Sequence, residues 1–336
     1  MFAIKPRPNP SSREALAHRA GPSGRGARTL GVLSVLSAAI LLSACATPPP
    51  APPYVVKGPI EAKYQARGPW AVSQSVSAGP CDRENHLCDI WYPTALGTNP
   101  LRGVKSGYRH PVISWADGTG QQPKVYAHFL EHLASWGFIV VAPRDDSTRA
   151  GETTLDAAQY MLAQADTPSS RFYNRVDPDK FGAAGHSQGG AAVTSLHVRG
   201  VPLFKTYLGL HTSPGFFSKF CCGVTPESYA GARVTASIFQ WSSKPDSGKP
   251  DWYDPVPNSA PKAYALLSYA NHADVSAAPG CDPAACRQGA SPYLGYTTAW
   301  LMGRLQGASD GVRAFGQDGE FFRSNPSWSM NLSNIP

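Results

Sequence analysis

The chain reads as an α/β protein, with a mostly parallel sheet, helices on both faces and no large lid domain. Three observations predict this. Short compact apolar runs that suit buried strands alternate with longer segments whose apolar residues recur at helical spacing. The stretch Phe181-Gly-Ala-Ala-Gly-His-Ser-Gln-Gly-Gly190 leads an apolar run through closely spaced glycines into small residues suited to a helix packed on a sheet. The 336 residues, 42% of them apolar, suffice for one large domain behind a leader.

The elements follow in order. Residues 71–77 and 89–92 are early strands, and 110–116 is a buried strand ended by the turn Asp117-Gly-Thr-Gly120. Residues 125–136 carry helical spacing that Gly137 stops, and 138–142 is a compact buried strand. Residues 155–165 read as a helix and 181–184 as the strand feeding the glycine-rich turn. Strands are expected at 207–210, 235–239 and 263–267, and a closing helix at 293–305. There is no internal repeat.

Ahead of the domain lies a targeting segment. Residues 1–44 carry six basic residues against Glu14, then an apolar run over 30–42. That run is too short and too one-sided to span a membrane and reads as a secretory signal. It ends Leu42-Ser-Ala-Cys45, which resembles a bacterial lipobox. The resemblance implies cleavage before Cys45, lipid attachment to its sulfur and a place in the cell envelope. Ala46 after it, rather than Asp, implies the outer membrane where there are two. The alternative takes Ala44 and Ala46 as an A-x-A cleavage site and releases a soluble protein. On the lipobox reading residues 45–57 are a lipidated cysteine and a Pro-rich spacer of polyproline type, and 58–336 the folded α/β domain. The leader accounts for five of the seven net positive charges. The remainder has no basic stripe interleaved with aromatics, so nucleic acid is not expected as a partner.

Six further cysteines, Cys81, Cys88, Cys221, Cys222, Cys281 and Cys286, suggest disulfides in an exported chain. The short loops Cys81–Cys88 and Cys281–Cys286 come first. They leave Cys221 and Cys222 as an adjacent pair, and a cross-link between the two later clusters stays open. No Cys or His pairs show metal-ligand spacing, so neither metal nor cofactor is expected.

Gly185-His-Ser-Gln-Gly189 is a G-x-S-x-G pattern in strand–turn–helix context. Such a corner lifts Ser187 out of the backbone as a nucleophile, and only glycines fit where strand and helix nearly collide. With this elbow the order along the chain is Ser, acid, His. Three histidines follow: His197 lies within the elbow helix, His211 ends a strand with no acid in order, and His272 follows the strand 263–267. His272 is therefore the general base. The loop after 235–239 offers Asp246, Asp251 and Asp254 as the acid, which the residues themselves do not rank. The oxyanion needs two N–H donors: the Gln188 amide at a helix start, and one from the loop Asp117-Gly-Thr119.

These pieces resemble the bacterial polyester hydrolases and cutinase-like lipases, with the related chlorophyllase-like esterases, of the α/β-hydrolase superfamily. The resemblance rests on Pro111-Val-Ile-Ser-Trp-Ala-Asp-Gly-Thr-Gly120, His132-Leu-Ala-Ser-Trp-Gly-Phe-Ile-Val-Val141, Gly185-His-Ser-Gln-Gly-Gly190 and Ala270-Asn-His272. It implies Asp246 as the acid, since Pro250 stands four residues on as in the family, although Ser242-Ser-Lys-Pro245 lacks the family's approach. It implies the Asp117 amide as the first oxyanion donor, where the family has an aromatic residue. An Asp side chain there is expected at the pocket rim, disfavouring anionic substrates. It also implies Phe216 as a substrate clamp, with Trp115 as a second contact. The later cysteines depart from the family's arrangement. The function implied is a monomeric serine ester hydrolase acting on a small or polymeric ester. The alternative is a non-catalytic envelope lipoprotein that keeps the fold.

Overall fold

The computed structural model describes residues 52–244, 251–278 and 287–336. Asp246, Cys45, Cys281 and Cys286 lie outside the described residues. The strands are β1 (Val72–Val76), β2 (Cys88–Pro93), β3 (His110–Ala116), β4 (Ile139–Pro143), β5 (Val176–His186), β6 (Phe204–Leu210), β7 (Ser237–Ser243), β8 (Lys262–Leu267) and β9 (Trp328–Ser333). The helices are α1 (Pro59–Gln65), α2 (Ala127–Ser135), α3 (Glu152–Asp166), α4 (Gln188–Val198), α5 (Gly215–Cys222), α6 (Ser291–Gln306) and α7 (Ser309–Arg313).

Among the described residues these strands form one sheet in the order β1-β2-β4-β3-β5-β6-β7-β8-β9. From β4 to β8 the neighbours are parallel, and β1, β2 and β9 add antiparallel edges. Every residue of β3, β4, β7 and β8 is buried, as parallel strands covered on both faces must be. One face carries α2 and α6, whose Phe129 and Trp300 cluster with Trp115, Phe239 and Trp241 of the sheet. The other carries α3 and α4, whose Met161, Val193 and Leu196 cluster with Phe181 of the sheet. This is the α/β architecture expected.

Element limits differ where local geometry intervenes. The helix expected from 125 begins at Ala127, because Pro123–Tyr126 winds as a 3-10 turn. Gly137 does end it, at φ 93°, with the Trp70 ring 2.8 Å from where a Cβ would stand. α3 starts at Glu152 because Gly151, at φ 90°, turns the chain into the helix and its carbonyl accepts from Leu155 N–H at 3.0 Å. α1, α5, α7 and β9 are additions to the elements read from sequence.

The packed chain also takes in residues ahead of Gly58. The Tyr54 hydroxyl donates to Glu61, and Lys57 Nζ donates to the Phe321 carbonyl and Asn331 Oδ1, both at 2.6 Å. Lys57 also lies 4.4 Å over the Trp328 ring. The Glu320 carboxylate accepts from the first amides of α1, Ile60 at 2.9 Å and Glu61 at 2.7 Å. Burial pushes the Glu61 carboxyl up to about 7 and the Lys57 ammonium down to about 8.

Cys81 is bonded to Cys88, closing the loop ahead of β2. Cys221 is bonded to its neighbour Cys222 at the end of α5. That pairing replaces the cross-link left open between the two later clusters.

Candidate active site

Ser187 sits between β5 and α4 at φ 59°, ψ −117°, a backbone conformation that a residue with a Cβ adopts only when its surroundings impose it. Those surroundings are visible. Ser187 N–H donates to the Leu210 carbonyl at 2.9 Å, and its own carbonyl accepts from Ala191 at 3.1 Å. The strand and helix cross so closely that a Cβ on Gly185 would fall 2.4 Å from the Gly189 oxygen. One on Gly189 would fall 2.1 Å from the Ala116 oxygen. Both glycines are required by space.

His272 opens the 3-10 turn His272–Ser276 after β8, and its Nε2 lies 2.9 Å from Ser187 Oγ. The hydroxyl donates and the imidazole accepts. The turn is held from below by Asp274, which is fully buried. Its carboxylate accepts from the amides of Asn271 at 2.8 Å, Arg287 at 2.6 Å and Gln288 at 3.1 Å. Sequence reasoning missed Asp274. Its signal was the reciprocal cap Asn271-x-x-Asp274.

A second group is His186, the residue before the nucleophile. Its Nε2 donates to the His272 carbonyl at 2.8 Å, which leaves Nδ1 as the acceptor for the Tyr126 hydroxyl at 2.9 Å. The Tyr126 oxygen accepts from Gly118 N–H at 3.1 Å. The loop after β3 and the turn after β8 are thereby joined through one imidazole beside Ser187. Burial pushes the Tyr126 hydroxyl well above its ordinary range, so it stays a donor.

The other two histidines have structural partners. His197 Nε2 donates to the Ala236 carbonyl at 2.9 Å while Nδ1 accepts from the Tyr229 hydroxyl at 2.7 Å. Burial lowers its pKa to about 4. His211 is buried with Nε2 2.6 Å from the Tyr293 hydroxyl.

The amide of Gln188 stands at the N-terminus of α4, where free N–H groups favour negative charge. Gly118 lies against the nucleophile, and a Cβ built on it would come 3.3 Å from Ser187 Cβ. Asp117 is not at the rim. It is 1% exposed, its Oδ1 accepts from Trp115 Nε1 at 2.9 Å, and burial raises its carboxyl well above the usual range. A group held inward by a neighbouring indole presents no charge to substrate. Trp115 is likewise a core residue and not a substrate contact. It is fully buried, with ring centroids 5.0 Å from Tyr126 and 5.5 Å from Phe129. Phe216 lies on α5, exposed, and lines a cavity of about 800 Å³ with Lys219, Glu227, Asp251 and Asp254. Among the described residues no group of His, Cys, Asp and Glu is arranged to hold a metal ion, and no helix is long and apolar enough to cross a membrane.

A mostly parallel sheet with a strained serine elbow and a histidine turn after a later strand is the architecture of the α/β-hydrolase fold. The comparisons with known proteins agree. The Chlorophyllase family model matches residues 101–209. Cutinase est1 and Cutinase est2 of Thermobifida alba are each 29% identical over 223 residues, 64% of this chain and 67% and 66% of theirs. Cutinase 2 of Thermobifida cellulosilytica is 26% identical over 227 residues, 64% of this chain and 76% of its own. The chain spans about two thirds of the length of the first two. It resembles the cutinase-like and chlorophyllase-like α/β-hydrolases.

Proposed function

We propose that this protein is a serine ester hydrolase, exported and anchored by a lipid on Cys45, that cleaves carboxylic esters through an acyl-enzyme. The observation that carries the reading is the 2.9 Å contact of Ser187 Oγ with His272 Nε2 at a strained elbow. The cutinases among its relatives support ester cleavage.

Ser187 Oγ attacks the ester carbonyl carbon while His272 Nε2 takes its proton. The Gln188 amide and an amide of the loop after β3, assigned to Asp117, hold the oxyanion. His272 then gives the proton to the departing alcohol oxygen. Water, deprotonated by His272, attacks the acyl carbon and frees the acid and Ser187. Asp246 orients His272 and stabilises its charged form. The substrate class is a carboxylic ester, small or polymeric.

The test is a fluorophosphonate label with a panel of p-nitrophenyl esters. Wild type is labelled and cleaves the panel, while Ser187→Ala does neither. A wild type that stays unlabelled and leaves the esters intact refutes the reading. For the anchor, Cys45→Ala should leave the membrane fraction, and unchanged membrane association refutes lipidation there.

A further inference from the structure

Three phenylalanines of α5 have no place in the core or in the chemistry above. Phe216, Phe217 and Phe220 are 80%, 46% and 73% exposed. The Phe216 and Phe220 rings, one helical turn apart, lie 5.1 Å between centroids. Large aromatics gathered on one exposed turn mark a surface that something covers. The helix is fixed to the elbow. Ser213 N–H donates to the Ser187 carbonyl at 3.3 Å, Ser218 Oγ donates to the Ser213 carbonyl at 2.7 Å, and Trp252 Nε1 donates to that same carbonyl at 3.1 Å. The ridge therefore stands beside the mouth of the site.

An independent observation is where the chain enters the fold. β6, β7 and β8 are parallel, so their carboxyl ends share one end of the sheet. α5 follows β6 there, and the His272 turn follows β8. Pro52 is at that same end: its carbonyl accepts from Gln288 Nε2 at 2.7 Å, and the Gln288 amide donates to Asp274 at 3.1 Å. Val55 N–H donates to Ser327 Oγ at 3.3 Å, beside Trp328, which pairs with Leu267 at the end of β8. Cys45 is seven residues before Pro52. Seven residues reach at most about 25 Å when fully extended.

We infer that the Phe216–Phe217–Phe220 ridge docks into the acyl layer of the phospholipid bilayer that holds the Cys45 lipid, and so presents Ser187 to membrane esters. This rests on the lipid anchor and the serine chemistry proposed above. A tether this short, entering at the carboxyl end of the sheet, keeps that end against the membrane. The rings supply apolar area there, and Lys219 on the same helix supplies a cation for headgroup phosphates. Glu227, Asp251 and Asp254 line the adjoining cavity, so the attachment is chiefly apolar and weakly dependent on salt.

The test uses the full-length lipidated protein in vesicles of phosphatidylethanolamine and phosphatidylglycerol. Wild type is compared with Phe217→Ser/Phe220→Ser, whose side chains are 46% and 73% exposed and belong to no core cluster. Hydrogen exchange of the α5 amides should be slower in wild type by on the order of tenfold or more, the scale set by withdrawing two phenyl rings from water. Fatty-acid release from the vesicle lipids should fall by a similar factor in the variant, with cleavage of soluble p-nitrophenyl acetate unchanged. Equal exchange and equal fatty-acid release in the two proteins overturn the docking, as does α5 protection by added polyester particles but not by the bilayer. Protection of α5 with no fluorophosphonate labelling of Ser187 overturns the serine chemistry and leaves the docking standing.

Discussion

Gly189→Ala is the most exacting perturbation of the elbow. The new Cβ would stand 2.1 Å from the Ala116 carbonyl oxygen, 2.5 Å from its carbon and 2.6 Å from the Asp117 oxygen. All three are backbone atoms, so no side-chain rotation relieves the clash. Ordinary contact begins at 3.4 Å, so the shortest distance must open by 1.3 Å, the difference of 3.4 and 2.1. The atoms that give way are the end of β3 and the start of α4, which carry the two amides assigned to the oxyanion. Overpacking of this kind costs about 1–3 kcal/mol, several degrees of melting temperature in a domain this large. A displacement near 1 Å in a catalytic group costs about 100-fold in rate. The assay is kcat/KM on a soluble p-nitrophenyl ester alongside a thermal melt. Gly79→Ala serves as the control, because its Cβ would meet nothing within 4 Å. A Gly189→Ala protein with the melting temperature and kcat/KM of Gly79→Ala would show that the crossing has slack, and the reasoning from close approach would fail.

Tyr126→Phe strips the partner from Gly118 N–H and His186 Nδ1, and should cost about 1–3 kcal/mol with kcat reduced more than KM is raised. A variant impaired only in KM would count against the coupling of the two loops. Asp274→Asn keeps the shape but loses the charge that gathers the amides of residues 271, 287 and 288, and should lower kcat on the order of tenfold. Full activity would show that the base turn holds itself. Glu61 gives a pH prediction. Its pKa is raised from 4.5 to about 7 in the fold, so the native state holds its proton more tightly than the unfolded chain does. The stability this contributes is fullest below pH 4.5 and is lost as pH rises through about 7, a decline of about 3 kcal/mol. Denaturation near pH 5 and near pH 8 should show this decline in wild type and not in Glu61→Gln. Parallel losses in the two would exclude Glu61 as the source.

The parts of the fold that were legible are those whose signal is local. β3, β4 and β8 are compact buried runs between turn residues, and the glycines around Ser187 announce a crossing too tight for any side chain. His272 could be placed because it follows a strand, and in the fold its Nε2 lies 2.9 Å from Ser187 Oγ. α5 was not legible, because Ser-Pro-Gly-Phe-Phe reads as a loop and its phenylalanines face solvent, inverting the usual apolar signal. The inward turn of Asp117 depends on an indole two residues before it, and alternation along a strand does not reveal that pair. Residues 54–57 read as spacer by composition. Their partners lie far away in sequence, as with Lys57 and Phe321, separated by 264 residues.

That last contact ties the entering chain to the far end of the fold. With the lipid proposed on Cys45, a pull on the domain would enter through Pro52 and Tyr54. It is taken up by Tyr54 against Glu61, by Lys57 against the Phe321 carbonyl, Asn331 and the Trp328 ring, and by Glu320 holding the first turn of α1. Those residues form a mooring between the tether and the sheet. A domain cut at Gly58 would leave it behind and uncover the tryptophan it covers.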